Sequence, residues 1–386
     1  MSLEPDQVLP QDLIVRIRAR AAGYDERNEF FREDFEELVA AGYLKAFVAE
    51  GNGGLGAGLA DVVRLQRRLA AAAPATALGV NMHLVWTGVA RVFQARDDSG
   101  LDFVLEEAAA GEIFSFGISE AGNDSVLFDS VTLAEPQSDG SYRYTGTKVF
   151  TSLAPVWTRM GTFGKDTTGE EPRLVYGFIR RAEPGWRHLD DWDTLGMRAS
   201  QSCTTILEGA LAPANRVVRM LPVGPNPDLL IFAIFAVFET LLAAVYTGIA
   251  ERALELGIEA AHRRTSLKND GRPYSQDPDI RWQLADAAMA LDGVLPQLER
   301  VADDVDGVID RGAAWFPALS GLKHRATETA RQVVDVAMRV GGGGGYFRSN
   351  ELQRLYRDVL AGLYHPSDPE SAHATVANAL LGPIED

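Results

Sequence analysis

The pattern of hydrophobic and polar positions changes twice along this chain. Over residues 11–110, apolar side chains recur at the intervals of three and four that are typical of helices. Over residues 111–222 the pattern becomes short alternating runs, separated by turn sequences such as Asp139-Gly140-Ser141. Helical periodicity returns after Asp228. The pattern therefore predicts helices, then strands, then helices.

This order predicts a mostly helical α+β chain with three domains. We expect an N-terminal helical domain at 1–110, a middle antiparallel β-domain at 111–225 and a C-terminal helical bundle at 226–386. Within the bundle, the periodicity predicts helical runs at 228–264, 279–310, 319–340, 350–362 and 370–381.

One bundle segment, 229–250, is almost wholly apolar and long enough to cross a bilayer. Glu239 lies in its middle, and its flanks are acidic instead of rich in Lys and Arg. A carboxylate at bilayer depth is costly. We therefore expect a helix buried inside the bundle and no membrane span.

Composition narrows the partners and the compartment. The chain has 386 residues and a formal net charge of −17, which argues against non-specific binding to nucleic acid or to an anionic membrane. Cys203 is the single cysteine, and the first residues lack a basic stretch followed by an apolar run. These features favour a cytoplasmic protein. The six histidines show no close metal-ligand spacing, so we expect no structural metal.

The candidate chemistry lies in two strand-like segments, 117–125 and 144–152, which are bordered by glycines and hydroxyl side chains. Such loops expose backbone N–H groups and place Ser or Thr donors beside an anion or a polar ring edge. Two of them on neighbouring strands, one with an aromatic residue, would hold a flat, phosphate-bearing cofactor. The alternative is a pair of ordinary Ser/Gly turns.

Five separated motifs resemble the acyl-CoA dehydrogenase superfamily, and the resemblance covers roughly residues 30–382. The motifs are the glycine loop 50–56, Ser119-Glu120 with Ser125, the segment 146–152, the segment 195–200, and the glycine run 341–345 with Arg357-Asp358. The resemblance implies FAD, a helical–β–helical subunit and a homotetramer or homodimer in which neighbours complete the FAD site.

The same resemblance implies roles for individual residues. Ser119 would bond the flavin ring, Phe150 stands where the family has a stacking Trp, and Ser152 would lie near flavin N5. Arg264 would reach the pyrophosphate of a neighbour's FAD. The other cofactor positions that the resemblance implies are Phe116, Ile118, Ser125, Arg339, Gly342 and Gly343.

For catalysis, the resemblance implies an FAD-dependent α,β-dehydrogenation of an acyl-CoA thioester. A glutamate takes the α-proton, hydride passes to flavin N5, and the electrons leave to an electron-transfer flavoprotein. Pro366 occupies the commonest position of that glutamate. Glu239 is the candidate replacement, because burial raises the pKa of a carboxyl group. The alternative is a buried glutamate bonded to a partner helix.

Two other functions stay open. His365 and His83, with Ser152, resemble residues of the flavin-dependent monooxygenase branch, which uses reduced flavin and O2. His365 is accordingly a second candidate catalytic residue. His83 and Ser200 are candidate substrate-binding residues, although a histidine on an apolar helix is more often a satisfied core residue. The loss of the usual glutamate also fits a catalytically silent partner subunit.

Overall fold

The structure is a computed structural model that describes residues 3–384, and it confirms the predicted fold class. Helices come first, a sheet follows, and a helical bundle ends the chain. The N-terminal helices are α1 (Pro5–Val8), α2 (Gln11–Arg27), α3 (Arg32–Ala40), α4 (Leu59–Ala72), α5 (Pro74–Gln94) and α6 (Asp102–Ala109).

The middle region is an eight-stranded sheet with the order β6-β7-β3-β2-β4-β5-β8, and β1 pairs with β4. Its strands are β1 (Phe114–Gly117), β2 (Leu133–Pro136), β3 (Tyr142–Lys148), β4 (Arg159–Asp166), β5 (Arg173–Arg180), β6 (Trp186–His188), β7 (Thr205–Ala212) and β8 (Val217–Pro222). The sheet is not antiparallel throughout, because β1 and β2 both run parallel to β4. The long connection after β3 returns the chain to the end of the sheet where β1 begins, which gives β4 the direction of β1.

The C-terminal region is a helical bundle with a short hairpin between its first two helices. Its elements are α7 (Leu229–Arg263), β9 (Thr265–Ser266), β10 (Arg272–Pro273), α8 (Pro278–Asp292), α9 (Leu295–Asp306), α10 (Trp315–Gly341), α11 (Glu351–Val359) and α12 (Pro369–Leu381). The predicted single run at 279–310 was wrong, since the chain breaks between α8 and α9. Pro296 explains the break, because proline has no N–H to donate and is tolerated only in the first turn of a helix.

Helix α7 is the centre of the molecule and packs against α4, α5 and α10. Among the described residues it is the one helix long and apolar enough to cross a membrane, and 83% of its most apolar stretch is buried inside the protein. The burial agrees with the predicted core helix.

The Arg357-Asp358 motif fastens the bundle to the loop after β6. The Asp358 carboxylate accepts a 2.6 Å hydrogen bond from the backbone N–H of Met197, and Arg357 donates to Asp25 on α2 at 2.9 Å. Gly196 lies so close that an added Cβ would come 2.3 Å from the Arg357 carbonyl oxygen. The glycine is thus required by close packing of two backbones.

Candidate functional site

A narrow cavity lies where the end of β1 meets α7. It has about 20 Å³ of space for the centres of water-sized molecules, which is room for about one water molecule. Its wall is formed by Phe116, Ile118, Ser119, Val126, Leu127, Ile234, Phe235, Phe238, Glu239 and Pro366. Four predicted site residues are therefore brought together, and Pro366 lines the same space.

Aromatic rings form part of the wall of this cavity. Phe116 and Phe238 are stacked, with ring centroids 5.4 Å apart and planes inclined by 21°. Phe235 stacks in the same way on Phe128 at 6.1 Å. Because the cavity has room for about one water molecule, a larger substrate requires some of the lining side chains to move.

Glu239 is fully buried on α7, and its two carboxylate oxygens differ. Oε1 accepts hydrogen bonds from the backbone N–H and the hydroxyl of Ser367, each at 2.9 Å. Within residues 3–384, Oε2 has no hydrogen-bond partner. Burial raises the pKa of Glu239 to about 7, although the positive charge of Lys323 and the bonds to Ser367 oppose the rise. The group can therefore hold or release a proton near neutral pH.

Lys323 on α10 holds the segment that faces Glu239. Its Nζ donates 2.8 Å hydrogen bonds to the backbone carbonyls of Gly362, His365 and Ser367. Burial lowers the pKa of Lys323 to about 8, against the opposing effect of Glu239. A buried ammonium thus defines the path of residues 362–367 past the cavity.

His365 does not line the cavity but adjoins it. Its Nδ1 is hydrogen-bonded to the hydroxyl of Tyr246 at 2.9 Å, and no hydrogen bond joins Nε2 to any described residue. Burial and the charge of Lys323 lower the pKa of His365 to about 3. The imidazole is therefore neutral at physiological pH, and it is a weak proton acceptor.

Ser152, a predicted flavin-site residue, belongs to a chain of three buried serines. Ser152 and Ser202 hydroxyls are 2.7 Å apart, and Ser202 and Ser200 hydroxyls are 2.8 Å apart. Ser200, a predicted substrate-binding residue, is fully buried in this chain. Its position supports Ser152 and not direct contact with a substrate.

The residues around Ser152 fit a flavin ring. Phe150 has φ of 58°, which is unusual for a bulky residue, and its side chain is 55% exposed. The next residue, Thr151, has a buried hydroxyl without a partner among the described residues. An exposed aromatic ring, an orphaned hydroxyl and the Ser152 hydroxyl together suit a flat ring with polar edges.

The two predicted segments are joined behind this surface by a buried ion pair. Lys148 donates to Glu120 at 2.7 Å and to the Phe163 carbonyl at 2.8 Å. In addition, the Ser119 carbonyl accepts a 2.9 Å bond from the Val149 N–H. Ser119 is thereby held at the cavity, whereas Ser125 is exposed on the loop that follows.

The remaining predicted cofactor residues form a second cluster at the far end of α7. The Arg264 guanidinium lies 4.5 Å over the ring of Tyr274 and packs on Gly342, which is followed by Gly343. Arg339, nearby on α10, pairs with Asp335 at 2.8 Å. At 1.5 Å per residue, the end of α7 is about 36 Å from Glu239. One flavin ring cannot contact both clusters.

His83 is a core residue in this structure. Its Nε2 donates to the Leu44 carbonyl at 2.7 Å, and its Nδ1 accepts from the Phe114 N–H at 3.1 Å. Burial lowers its pKa to about 4. Both ring nitrogens are occupied, so the geometry does not support the predicted role in substrate binding. The core alternative accounts for the residue.

Two further observations concern sites elsewhere. A wider groove of about 900 Å³ separates α10 and α11 from α12, and it is lined by His324 and His373 but by no predicted site residue. Among residues 3–384 there is no group of three or more His, Cys, Asp or Glu side chains placed to hold a metal ion.

Sequence reasoning missed Lys323, Ser202 and Ser367. Lys323 gives a signal, because it is a charged residue beside Leu322 and Ala326 in the apolar stripe of α10. Ser202 and Ser367 give none, since Ser152 and Glu239, the functional residues that they contact, are distant in the chain.

Comparison with known families now places the chain in a class. Residues 14–92 match the family described as acyl-CoA dehydrogenase, N-terminal domain, and residues 240–367 match acyl-CoA dehydrogenase, C-terminal domain. The chain belongs to the acyl-CoA dehydrogenase family.

Similar curated proteins come from both the dehydrogenase and the oxygenase sides of this family. YdbM of Bacillus subtilis (strain 168), described provisionally as an acyl-CoA dehydrogenase, is 28% identical over 93% of this chain and 92% of its own length. The amino sugar nitrososynthase DnmZ of Streptomyces peucetius is 30% identical over 86% and 82%. A dibenzothiophene monooxygenase of Rhodococcus erythropolis is 26% identical over 92% and 87%.

Solved structures from both groups of enzymes resemble this chain. The nitrososynthase of Micromonospora carbonacea var. africana superposes with a TM-score of 0.86, at 25% identity over 99% of this chain and 98% of that one. KijD3 in complex with FMN and dTDP-3-amino-2,3,6-trideoxy-4-keto-3-methyl-D-glucose gives 0.85, at 25% identity over 97% and 92%. Butyryl-CoA dehydrogenase of Megasphaera elsdenii shares the fold, with a TM-score of 0.83 at 19% identity over 99% of each chain.

Proposed function

We propose that this chain is a flavin-dependent monooxygenase that uses reduced flavin and O2 to oxidise a small organic substrate. The observation that carries the proposal is Pro366, which stands where family dehydrogenases most often hold their base and itself lines the cavity. The similarity to nitrososynthases and to a dibenzothiophene monooxygenase supports the same reading.

A bound reduced flavin would supply two electrons to O2, so that one oxygen atom enters the substrate and the other leaves as water. The protein's part is to hold and orient. Phe150 offers a face for the ring, and Ser152 offers a hydroxyl whose direction is set by Ser202. The closed aromatic wall excludes bulk water from the reacting atoms.

A second candidate is the acyl-CoA dehydrogenase that we predicted from the sequence. The free Oε2 of Glu239 favours it, because a carboxylate with a pKa of about 7 is suited to removing an α-proton. In that case electrons would pass to an electron-transfer flavoprotein instead of O2.

The flavin is FAD in the family resemblance and FMN in KijD3. We favour FMN, because the chain is more similar to KijD3, at 25% identity, than to butyryl-CoA dehydrogenase, at 19%. Because the end of α7 is far from Glu239, we assign Arg264 to a flavin held by a second copy. Heat-released flavin from the purified protein, identified by chromatography, tests the choice.

One pair of experiments separates the two functions. Flavin-loaded enzyme is first mixed anaerobically with butyryl-CoA and with longer acyl-CoAs, and bleaching of the flavin absorbance is followed. Reduced enzyme is then mixed with O2, and the return of oxidised-flavin absorbance is timed. A monooxygenase shows no bleaching and a delayed return that shortens in Ser152→Ala. Rapid bleaching by an acyl-CoA that is lost in Glu239→Gln would instead establish the dehydrogenase.

A further inference from the structure

We infer that the cavity between β1 and α7 accepts a substrate amino group, with Glu239 as its binding partner. The inference rests on the proposed function, since it names the class of substrate that the same site would take. Glu239 lines the cavity, and its buried Oε2 has no hydrogen-bond partner within residues 3–384.

The two carboxylate oxygens of Glu239 differ in their hydrogen bonds. Ser367 supplies both donors to Oε1, and each bond is 2.9 Å long. A buried acceptor without a donor is unfavourable, so the carboxylate form of Oε2 is stabilised by any ligand that brings an N–H or O–H group. In that form the free oxygen selects for a donor in the ligand.

The nearest cation cannot fill this need. Among the described residues, the Lys323 ammonium donates three hydrogen bonds, and all three go to backbone carbonyls, those of Gly362, His365 and Ser367. Lys323 thus stabilises negative charge at Glu239 through space while Oε2 stays available. The other charged groups that act on Lys323 are Asp368 and Glu328, and the neutral His365 and Tyr246 complete the surroundings.

The rest of the wall is compatible with a cation. Phe116, Phe235 and Phe238 line the cavity, and an aromatic ring attracts an ammonium group that reaches a free face. A thioester or a thiophene offers acceptors or apolar surface but no N–H group, so neither satisfies the carboxylate form of Oε2. An amine satisfies that form.

One proton passes between the substrate amine and Glu239. A substrate ammonium binds the carboxylate form of Glu239, and Glu239 then takes one proton from it, which leaves the nitrogen with a free lone pair. No electron moves in this step. Because the pKa of Glu239 is about 7, part of the population must first lose its own proton to solvent when an ammonium binds at neutral pH.

Calorimetry with a matched pair of probes tests the inference without turnover. Cyclohexylamine and cyclohexanol are titrated into the flavin-loaded full chain at pH 7, in two buffers with different ionisation heats. We expect the amine to bind about 10- to 100-fold more tightly than the alcohol. We also expect it to release a fraction of a proton to the buffer, since Glu239 is partly protonated at this pH.

The variant Glu239→Gln should abolish both the preference and the proton release. Its amide oxygen can still accept from Ser367, so the fold is retained. Glu255→Gln, an exposed change on the same helix, should behave as wild type. Equal binding of amine and alcohol, no binding of the amine, or a preference that survives Glu239→Gln would each overturn the inference. An amine preference without a delayed O2 reaction would uphold the inference and refute the proposed monooxygenase.

Discussion

Lys323 donates a 2.8 Å hydrogen bond to the backbone carbonyl of His365, the residue that precedes Pro366 in the cavity wall. An ammonium on α10 therefore positions a segment 42 residues further along the chain. Through the neighbouring bond to Ser367, the same ammonium also determines where Glu239 is held.

Replacing Lys323 by Met should leave three backbone carbonyls without their donor. We expect a loss of about 3–5 kcal/mol in the free energy of unfolding, measured by denaturant titration. Lys323→Arg keeps the charge and should lose less. The positive charge of Lys323 lowers the pKa of Glu239. Its loss in the Met variant should therefore raise that pKa and move the pH midpoint of amine binding upward, whereas the Arg variant should keep the wild-type midpoint. If the midpoint of the Met variant equals that of wild type, Lys323 stabilises the fold without affecting the pKa of Glu239.

Glu239 should make stability depend on pH in a defined direction. Its pKa is 4.5 in the unfolded reference and about 7 in the folded protein, so the folded state binds more protons between these values. Stability from this group is present below pH 4.5 and is lost as pH rises towards 7. As the pH rises across that interval, the free energy of unfolding of Glu239→Gln should increase by about 3 kcal/mol relative to that of wild type. Thermal unfolding from pH 4.5 to 8 checks the slope, and parallel curves would contradict it.

Phe150 should contribute to flavin affinity. Phe150→Ala removes the exposed ring and should weaken flavin binding about 2- to 10-fold, from the usual energy of an aromatic pair. Phe150→Trp, which restores the family's residue, should bind at least as well as wild type. Fluorescence titration with FMN and FAD measures both. Equal affinity in all three proteins would remove Phe150 from the flavin surface.

The two glycines of the second cluster should respond differently to alanine. Gly342 has φ of 63°, and a Cβ added there would lie 2.4 Å from the Arg264 guanidinium. A Cβ added at Gly343 would have no neighbouring heavy atom within 4 Å. Gly342→Ala should cost about 1–2 kcal/mol and weaken flavin binding by moving Arg264. Gly343→Ala should change stability by less than about 0.5 kcal/mol. Chemical denaturation and flavin titration of both variants give the comparison.

The sequence was most informative where one local pattern decides the structure. Helical periodicity located α7 and α10, and a lone acid in an apolar run singled out Glu239. The failures have a different cause. The sequence around His83 does not indicate that Leu44 and Phe114 will bond both of its ring nitrogens. The break before α9 depends on a single proline within an otherwise periodic run. Contacts between distant segments, such as the bond between Glu239 and Ser367, cannot be inferred from local pattern.

The stacked rings of Phe116 and Phe238 bear on how the proposed site would choose its ligands. A ligand larger than water has to displace side chains of the wall, so a compound with only apolar surface would gain little by binding. A compound that also satisfies the unpartnered carboxylate oxygen of Glu239 would recover that free energy. Selection would then depend on charge as well as on shape.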